Sequence, residues 1–160
     1  MDTGSVSALD QDTWQLVGTN TVSAGSSTSS FTSLSGYKKY LVVVQNYVPS
    51  TGNNLLLRFN GDSTTGNYGG ASVYIDTLGA SSKTGIPLRG YADDNTSANM
   101  TYYAIIENVN NSGPKIVQIG GVQTTAGGGV WVTTDAITSI SFTTTTGTFE
   151  ATIKLYGIAG

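Results

Sequence analysis

The sequence predicts an all-β protein, an antiparallel β-sandwich of jelly-roll-like form with about 8–10 strands. Three observations predict it. Apolar residues recur with period two in several runs, and no window places them at i, i+3, i+4 and i+7 without a Gly or a β-branched cluster intervening. Thr, Val, Ile, Tyr and Phe dominate those runs, and all suit a pleated surface. Gly, Asn, Ser and Asp punctuate the chain between them.

Residues 1–12 carry Asp2, Asp10 and Asp12 without an apolar period. They read as a flexible N-terminal arm preceding a single β-sandwich domain over 13–160. The first strand is expected over Trp14–Thr19, and a short one over Ser30–Leu34. Trp14 and Trp131 lie inside apolar runs and are expected in the core. Tyr40 to Val44 is apolar on both faces, which fits a central strand covered on both sides or lying at a subunit contact. Leu55, Leu57 and Phe59 alternate with Leu56, Arg58 and Asn60, and Asn60-Gly61 is a strong tight-turn signal. Ala71, Val73 and Ile75 alternate with Ser72, Tyr74 and Asp76. Further strands are expected over Thr101–Val109, Lys115–Val122, Val130–Thr133 and Ala136–Thr144. The clearest run is the last, where Phe149, Ala151, Ile153 and Leu155 alternate with Glu150, Thr152 and Lys154.

Segments Gly61–Gly70, Leu78–Asn99 and Thr124–Gly129 read as long loops. The second is too long for a hairpin turn and is expected to cross between sheets or to cover a face. Without helical crossovers the pairing must be antiparallel. So many short strands need a second layer, since one open sheet would leave a large apolar face wet. A seven-stranded immunoglobulin-like sandwich is the runner-up, weakened by the extra strands and the missing Cys–Trp–Cys core.

Composition narrows the function. The chain has 24 Thr, 18 Ser, 21 Gly and 11 Asn among its 160 residues, no His and no Cys, and a net charge of −3. Without Cys there is neither a disulfide framework nor a thiolate zinc site. Without His the commonest general base and transition-metal ligand are gone. Seven Lys and Arg under a net negative charge argue against nucleic acid. No apolar run approaches transmembrane length, so no membrane insertion is expected. Met1-Asp2-Thr3-Gly4 lacks the basic and apolar regions of a signal peptide.

The motifs that carry chemistry are weak. No Ser-x-x-Lys element opens a helix. Gly120–Gly121 and Gly127–Gly129 lack the Lys-Ser/Thr ending of a phosphate loop and read as loop and bulge geometry. The only Glu are Glu107 and Glu150, read as surface charges or as partners of Arg58 or Lys154 rather than a glycosidase pair. Asn60-Gly61-Asp62 and Asp93-Asp94-Asn95 offer oxygen ligands for calcium, but neither has a dedicated spacing, and turn chemistry is the better reading. No cofactor, metal or catalytic residue is assigned. The sequons at Asn95, Asn99 and Asn110 read as chance in an Asn- and Thr-rich chain. For a sugar platform, Tyr68, Tyr91 and Tyr102 are the better exposed rings. Tyr68 and Tyr91 fall in polar loops, with Asn67, Asp93 and Asn95 as amide and acid partners.

The stretch Ser35-Gly36-Tyr37-Lys38-Lys39-Tyr40-Leu41-Val42-Val43-Val44, then Leu57-Arg58-Phe59-Asn60-Gly61-Asp62, then Leu155-Tyr156-Gly157-Ile158 resembles small β-sandwich virion proteins of tailed bacteriophages. The similarity runs from about Trp14 to Ile158. It implies a non-enzymatic structural protein, usually a homotrimer: a capsid decoration or cement protein, or a head or tail fibre domain. It brings no catalytic residues. The chain lacks an extended shaft, which favours decoration of the head surface, with the major capsid protein or another virion protein as partner. The protein would be made in the host cytoplasm and reside in the virion. The alternative is a fibre-tip domain binding host surface glycan through Tyr68, Tyr91, Asn67, Asp93 and Asn95. A decoration protein predicts few exposed aromatics in the loops and an apolar patch at a threefold seam, and a sugar binder predicts two or more exposed rings around a concave site.

Overall fold

A computed structural model describes residues 13–51, 54–72, 84–88, 100–121 and 127–160. Among the described residues eleven strands run in chain order: β1 (Gln15–Ser26), β2 (Thr28–Phe31), β3 (Tyr37–Pro49), β4 (Leu55–Phe59), β5 (Tyr68–Ser72), β6 (Ile86–Pro87), β7 (Met100–Glu107), β8 (Lys115–Gly121), β9 (Gly127–Trp131), β10 (Ile140–Thr144) and β11 (Phe149–Ala159). They form a seven-stranded sheet, β1-β11-β3-β7-β8-β9-β5, and a four-stranded sheet, β2-β10-β4-β6. All pairing is antiparallel.

Setting β5, β8 and β9 aside leaves β1-β11-β3-β7 facing β2-β10-β4-β6. Successive strands then alternate between the sheets in pairs, which is the jelly roll of two Greek keys. The three additional strands widen one sheet beyond β7, so the fold carries one strand more than the upper end of the expected range. The immunoglobulin-like order is excluded.

The alternation read from the sequence sets the core. Tyr40, Val42, Val44, Ala104, Ile106, Val117, Ile153 and Leu155 face inward from the large sheet; Phe31, Leu55, Leu57, Phe59, Ile140 and Phe142 meet them from the small one. The central position expected for Tyr40–Val44 holds, since β3 lies between β11 and β7. A bulge between Val44 and Tyr47, with Asn46 at φ 53°, turns Tyr47 back into the core.

Several expectations are corrected. Trp14 is not core: it is 39% exposed, because it leads into an edge strand and Leu16 beside it is exposed too. Gly127–Gly129 is not a loop but most of β9, and Tyr68 opens β5 inside the segment read as the loop Gly61–Gly70. Gly120 and Gly121 close β8. A Cβ on Gly129 would meet the Ile86 side chain at 2.7 Å, so glycine there lets the sheets approach. Within the segment read as the loop Leu78–Asn99, Ile86 and Pro87 pair with Leu57 and Leu56, and the chain does cross between sheets there. Residues 1–12, 52–53, 73–83, 89–99 and 122–126 lie outside the described residues.

Candidate functional site

The turn after β4 is built as its Asn-Gly pair predicts. Asn60 and Gly61 have φ 53° and 69°, and the Asp62 N–H closes on the Phe59 carbonyl at 2.8 Å. The Asn60 side chain then fastens the approach to β10. Its Oδ1 accepts from the N–H groups of Thr138 and Ser139 at 2.8 and 3.1 Å, and its Nδ2 donates to the Ala136 carbonyl at 2.8 Å.

Asp62 is likewise committed to the protein. Its Oδ2 accepts from Trp131 Nε1 at 2.7 Å and Asn67 Nδ2 at 2.9 Å, and its Oδ1 accepts from the Thr64 N–H at 2.8 Å. Burial by itself raises its pKa. The hydrogen bonds from Trp131, Thr64 and Asn67 outweigh that and hold the carboxyl at about 2. Of the oxygens considered for calcium, those of Asn60 and Asp62 therefore face protein donors, while Asp93, Asp94 and Asn95 lie outside the described residues. Among the described residues no three His, Cys, Asp or Glu side chains come together.

Tyr68 is 1% exposed and presents no platform to a sugar. Its ring packs with those of Phe59 and Trp131 in a three-ring cluster, every pair of centroids within 6.5 Å. Its hydroxyl accepts from the Phe59 N–H and donates to the Asp62 carbonyl, both at 3.0 Å. Burial raises its pKa to about 12. Tyr102 is buried as well. Asn67 is half-buried and spends its amide on Asp62. Tyr91, Asp93 and Asn95 lie outside the described residues.

Lys115, which no sequence signal singled out, is fully buried on the inner side of β8. Its ammonium donates to the carbonyls of Asn111 and Gly113 at 2.8 and 3.0 Å and sits 5.8 Å from the Trp131 ring centroid. Burial lowers its pKa, opposed by the charge of Asp135. It ties the β7–β8 loop to β9, which is a structural task. Glu107 pairs with neither Arg58 nor Lys154 but with Lys39, its cross-strand neighbour, at 3.0 Å. Arg58 donates to the Thr84 carbonyl at 2.6 Å.

What the molecule presents outward differs between its two sheets. On the small sheet the outward rows are Ser30 beside Ser141 beside Arg58, and Thr28 beside Thr143 beside Leu56, which is buried. On the large sheet apolar and polar residues share the outward positions. One row runs Leu16, Tyr156, Leu41, Ile105, Gln118 across β1, β11, β3, β7 and β8. The row on one side holds Lys154, Val43, Tyr103 and Gly120; the row on the other holds Ile158, Lys39, Glu107, Ile116 and Val130. Leu16, Tyr103, Ile116 and Val132 are 58, 45, 49 and 47% exposed. The Tyr103 ring lies across Gly120, where a Cβ would meet it at 2.4 Å. Glycine there lets the ring lie flat on the sheet. Among the described residues, every large apolar side chain with more than a third of its surface exposed lies on this face or, like Trp14, at its margin. An exposed apolar cluster of this kind marks a surface that another molecule covers.

No protein-family model matches the chain, and no curated protein matches it.

Proposed function

We propose that the chain is a non-enzymatic virion structural protein of a tailed bacteriophage, acting as a homotrimeric capsid decoration protein on the head surface. The observation that carries this reading is the outer face of the large sheet, where Leu16, Tyr103 and Ile116 stand exposed around half-exposed Tyr156, Leu41 and Val43. Such a molecule acts by burying area. Bound to assembled shell and not to free subunits, it stabilises the lattice by mass action.

The sequence resemblance supports the same reading, and its motifs have a physical basis. Gly36 to Val44 enters and forms β3, and Leu155 to Ile158 lies beside it in β11. Leu57 to Asp62 forms β4 and the turn that holds Tyr68 and Trp131. These segments specify the sandwich rather than a reaction. The major capsid protein is the partner expected on the head.

The test is to add the purified protein to phage heads lacking it and to image them by cryo-electron microscopy. Regular density at the symmetry axes of the shell is the expected result. Bare heads, with density confined to the tail or to a vertex fibre, would overturn it.

A further inference from the structure

Of the 11 asparagines in the chain, Asn60 alone precedes a glycine. An asparagine loses its side-chain amide when the backbone nitrogen of the next residue attacks its carbonyl carbon. Glycine places no side chain beside that nitrogen, so Asn-Gly reacts fastest in an unstructured chain. The step needs only water as co-reactant. The Gly61 nitrogen bonds to Asn60 Cγ and gives up its proton, and the Nδ2 group leaves as ammonia. Water then opens the resulting succinimide ring at either carbonyl. One opening leaves an aspartyl residue; the other leaves an isoaspartyl residue, which carries an extra methylene in the backbone.

In the folded protein this side chain is already committed. Its Oδ1 accepts from the N–H groups of Thr138 and Ser139 and from the Thr138 hydroxyl, at 2.8, 3.1 and 3.1 Å. Its Nδ2 donates to the Ala136 carbonyl at 2.8 Å. The backbone is pinned as well, since the Asn60 N–H donates to the Ser139 carbonyl at 3.0 Å. Ring closure must first release all four side-chain contacts. At the low end of what a hydrogen bond contributes, four of them hold the reaction back roughly thirtyfold.

The isoaspartyl product does not fit this place. The turn closes from the Asp62 N–H to the Phe59 carbonyl at 2.8 Å, and Asn60 and Gly61 lie inside it with φ 53° and 69°. An extra methylene there moves Asp62 off Trp131 Nε1 and the Thr64 N–H, and moves its carbonyl off the Tyr68 hydroxyl. Those contacts join the two sheets.

We infer that Asn60-Gly61 is a modification site gated by folding: the chain deamidates there while unfolded, is protected once the turn docks on residues 136–139, and does not rebuild the turn after isoaspartate forms. The reaction removes copies that stay unfolded and spares those that fold. Asn111-Ser112 offers the contrast. Asn111 is exposed, and its Nδ2 makes one long contact, 3.4 Å to Asn108 Oδ1. Folding therefore inverts the order in which the two asparagines react.

The test holds the purified protein at mildly alkaline pH, one portion folded and one in guanidinium chloride, and follows Asn60 and Asn111 by tandem mass spectrometry. In denaturant Asn60 is converted ahead of Asn111. In the folded protein Asn60 slows by at least about tenfold and Asn111 overtakes it. Thr138→Val removes one of the four contacts, and should speed Asn60 in the folded protein roughly two- to tenfold without changing its rate in denaturant. Diluting the denatured portion then sorts the chains: those that refold carry intact Asn60, and isoaspartate at this position collects in those that do not. A smaller slowing on folding, Asn111 leading in denaturant, a Thr138→Val rate equal to that of the natural protein, or refolded chains as rich in isoaspartate as the starting mixture overturns the inference.

Discussion

The indole Nε1 of Trp131 donates a 2.7 Å hydrogen bond to Oδ2 of Asp62, 69 residues earlier in the chain. That bond fastens the turn after β4 to the end of β9, and so joins the small sheet to the strands added beyond the jelly roll.

Acid should expose its contribution. The Asp62 carboxyl titrates near 2 in the folded protein against an ordinary 3.8. A depressed pKa stabilises the fold above the unfolded value and loses that stabilisation as pH falls from about 4 toward 2. The loss is at most about 2 kcal/mol, since Asp62 is partly exposed. Urea unfolding of the natural protein and of Asp62→Asn between pH 5 and 2 checks this. The variant should be less stable at pH 5 and should show a shallower decline.

Tyr68→Phe should cost about 1–3 kcal/mol. It removes only the hydroxyl, leaving the buried Phe59 N–H without its acceptor and the Asp62 carbonyl without its donor. A urea midpoint measurement reads the cost. In the natural protein the Tyr68 and Tyr40 hydroxyls, both raised to about 12 by burial, should stay protonated past pH 10. Ultraviolet titration of Tyr68→Phe against the natural protein should show one late-ionising tyrosine fewer.

Lys115→Met should destabilise by about 1–3 kcal/mol, because it strips a charged donor from the carbonyls of Asn111 and Gly113. The loosening should concentrate in the β7–β8 loop, which amide hydrogen exchange at Asn111 and Gly113 reports.

The glycines of the large sheet should divide by what lies over them. Gly129→Ala presses on buried Ile86 and should cost about 1–3 kcal/mol of stability. Gly120→Ala presses on the free end of the exposed Tyr103 ring, which can swing away. It should leave the unfolding midpoint nearly unchanged. Unfolding measurements on the same two variants separate the effects.

The legible part of the fold was the part whose two faces differ. Phe149–Leu155 and Leu55–Phe59 alternate because each strand has one face in the core, and Asn60-Gly61 announces its turn because few residues accept its backbone angles. What was missed lacked such contrast. β9 is rich in glycine, so it has no period to read, although Ile86 needs those glycines. Tyr68 sits among Gly66, Asn67, Gly69 and Gly70, which resemble a loop, yet its ring completes the cluster with Phe59 and Trp131. Trp14 reads as core from its apolar neighbours, because a sequence does not tell an edge strand from a central one. The Lys39–Glu107 pair depends on the register between β3 and β7, which no local signal encodes. The outer face is hidden for the same reason. Leu16, Leu41, Tyr103 and Ile116 come from four strands, and only the strand order brings them together.

The most direct test of the account is binding to shells. Purified protein added to phage heads that lack it should cosediment with them and give regular density at the symmetry axes of the shell, and Ile116→Ser, which removes an exposed apolar side chain of the outer face, should weaken that binding. Heads that stay bare at every protein concentration would contradict the account.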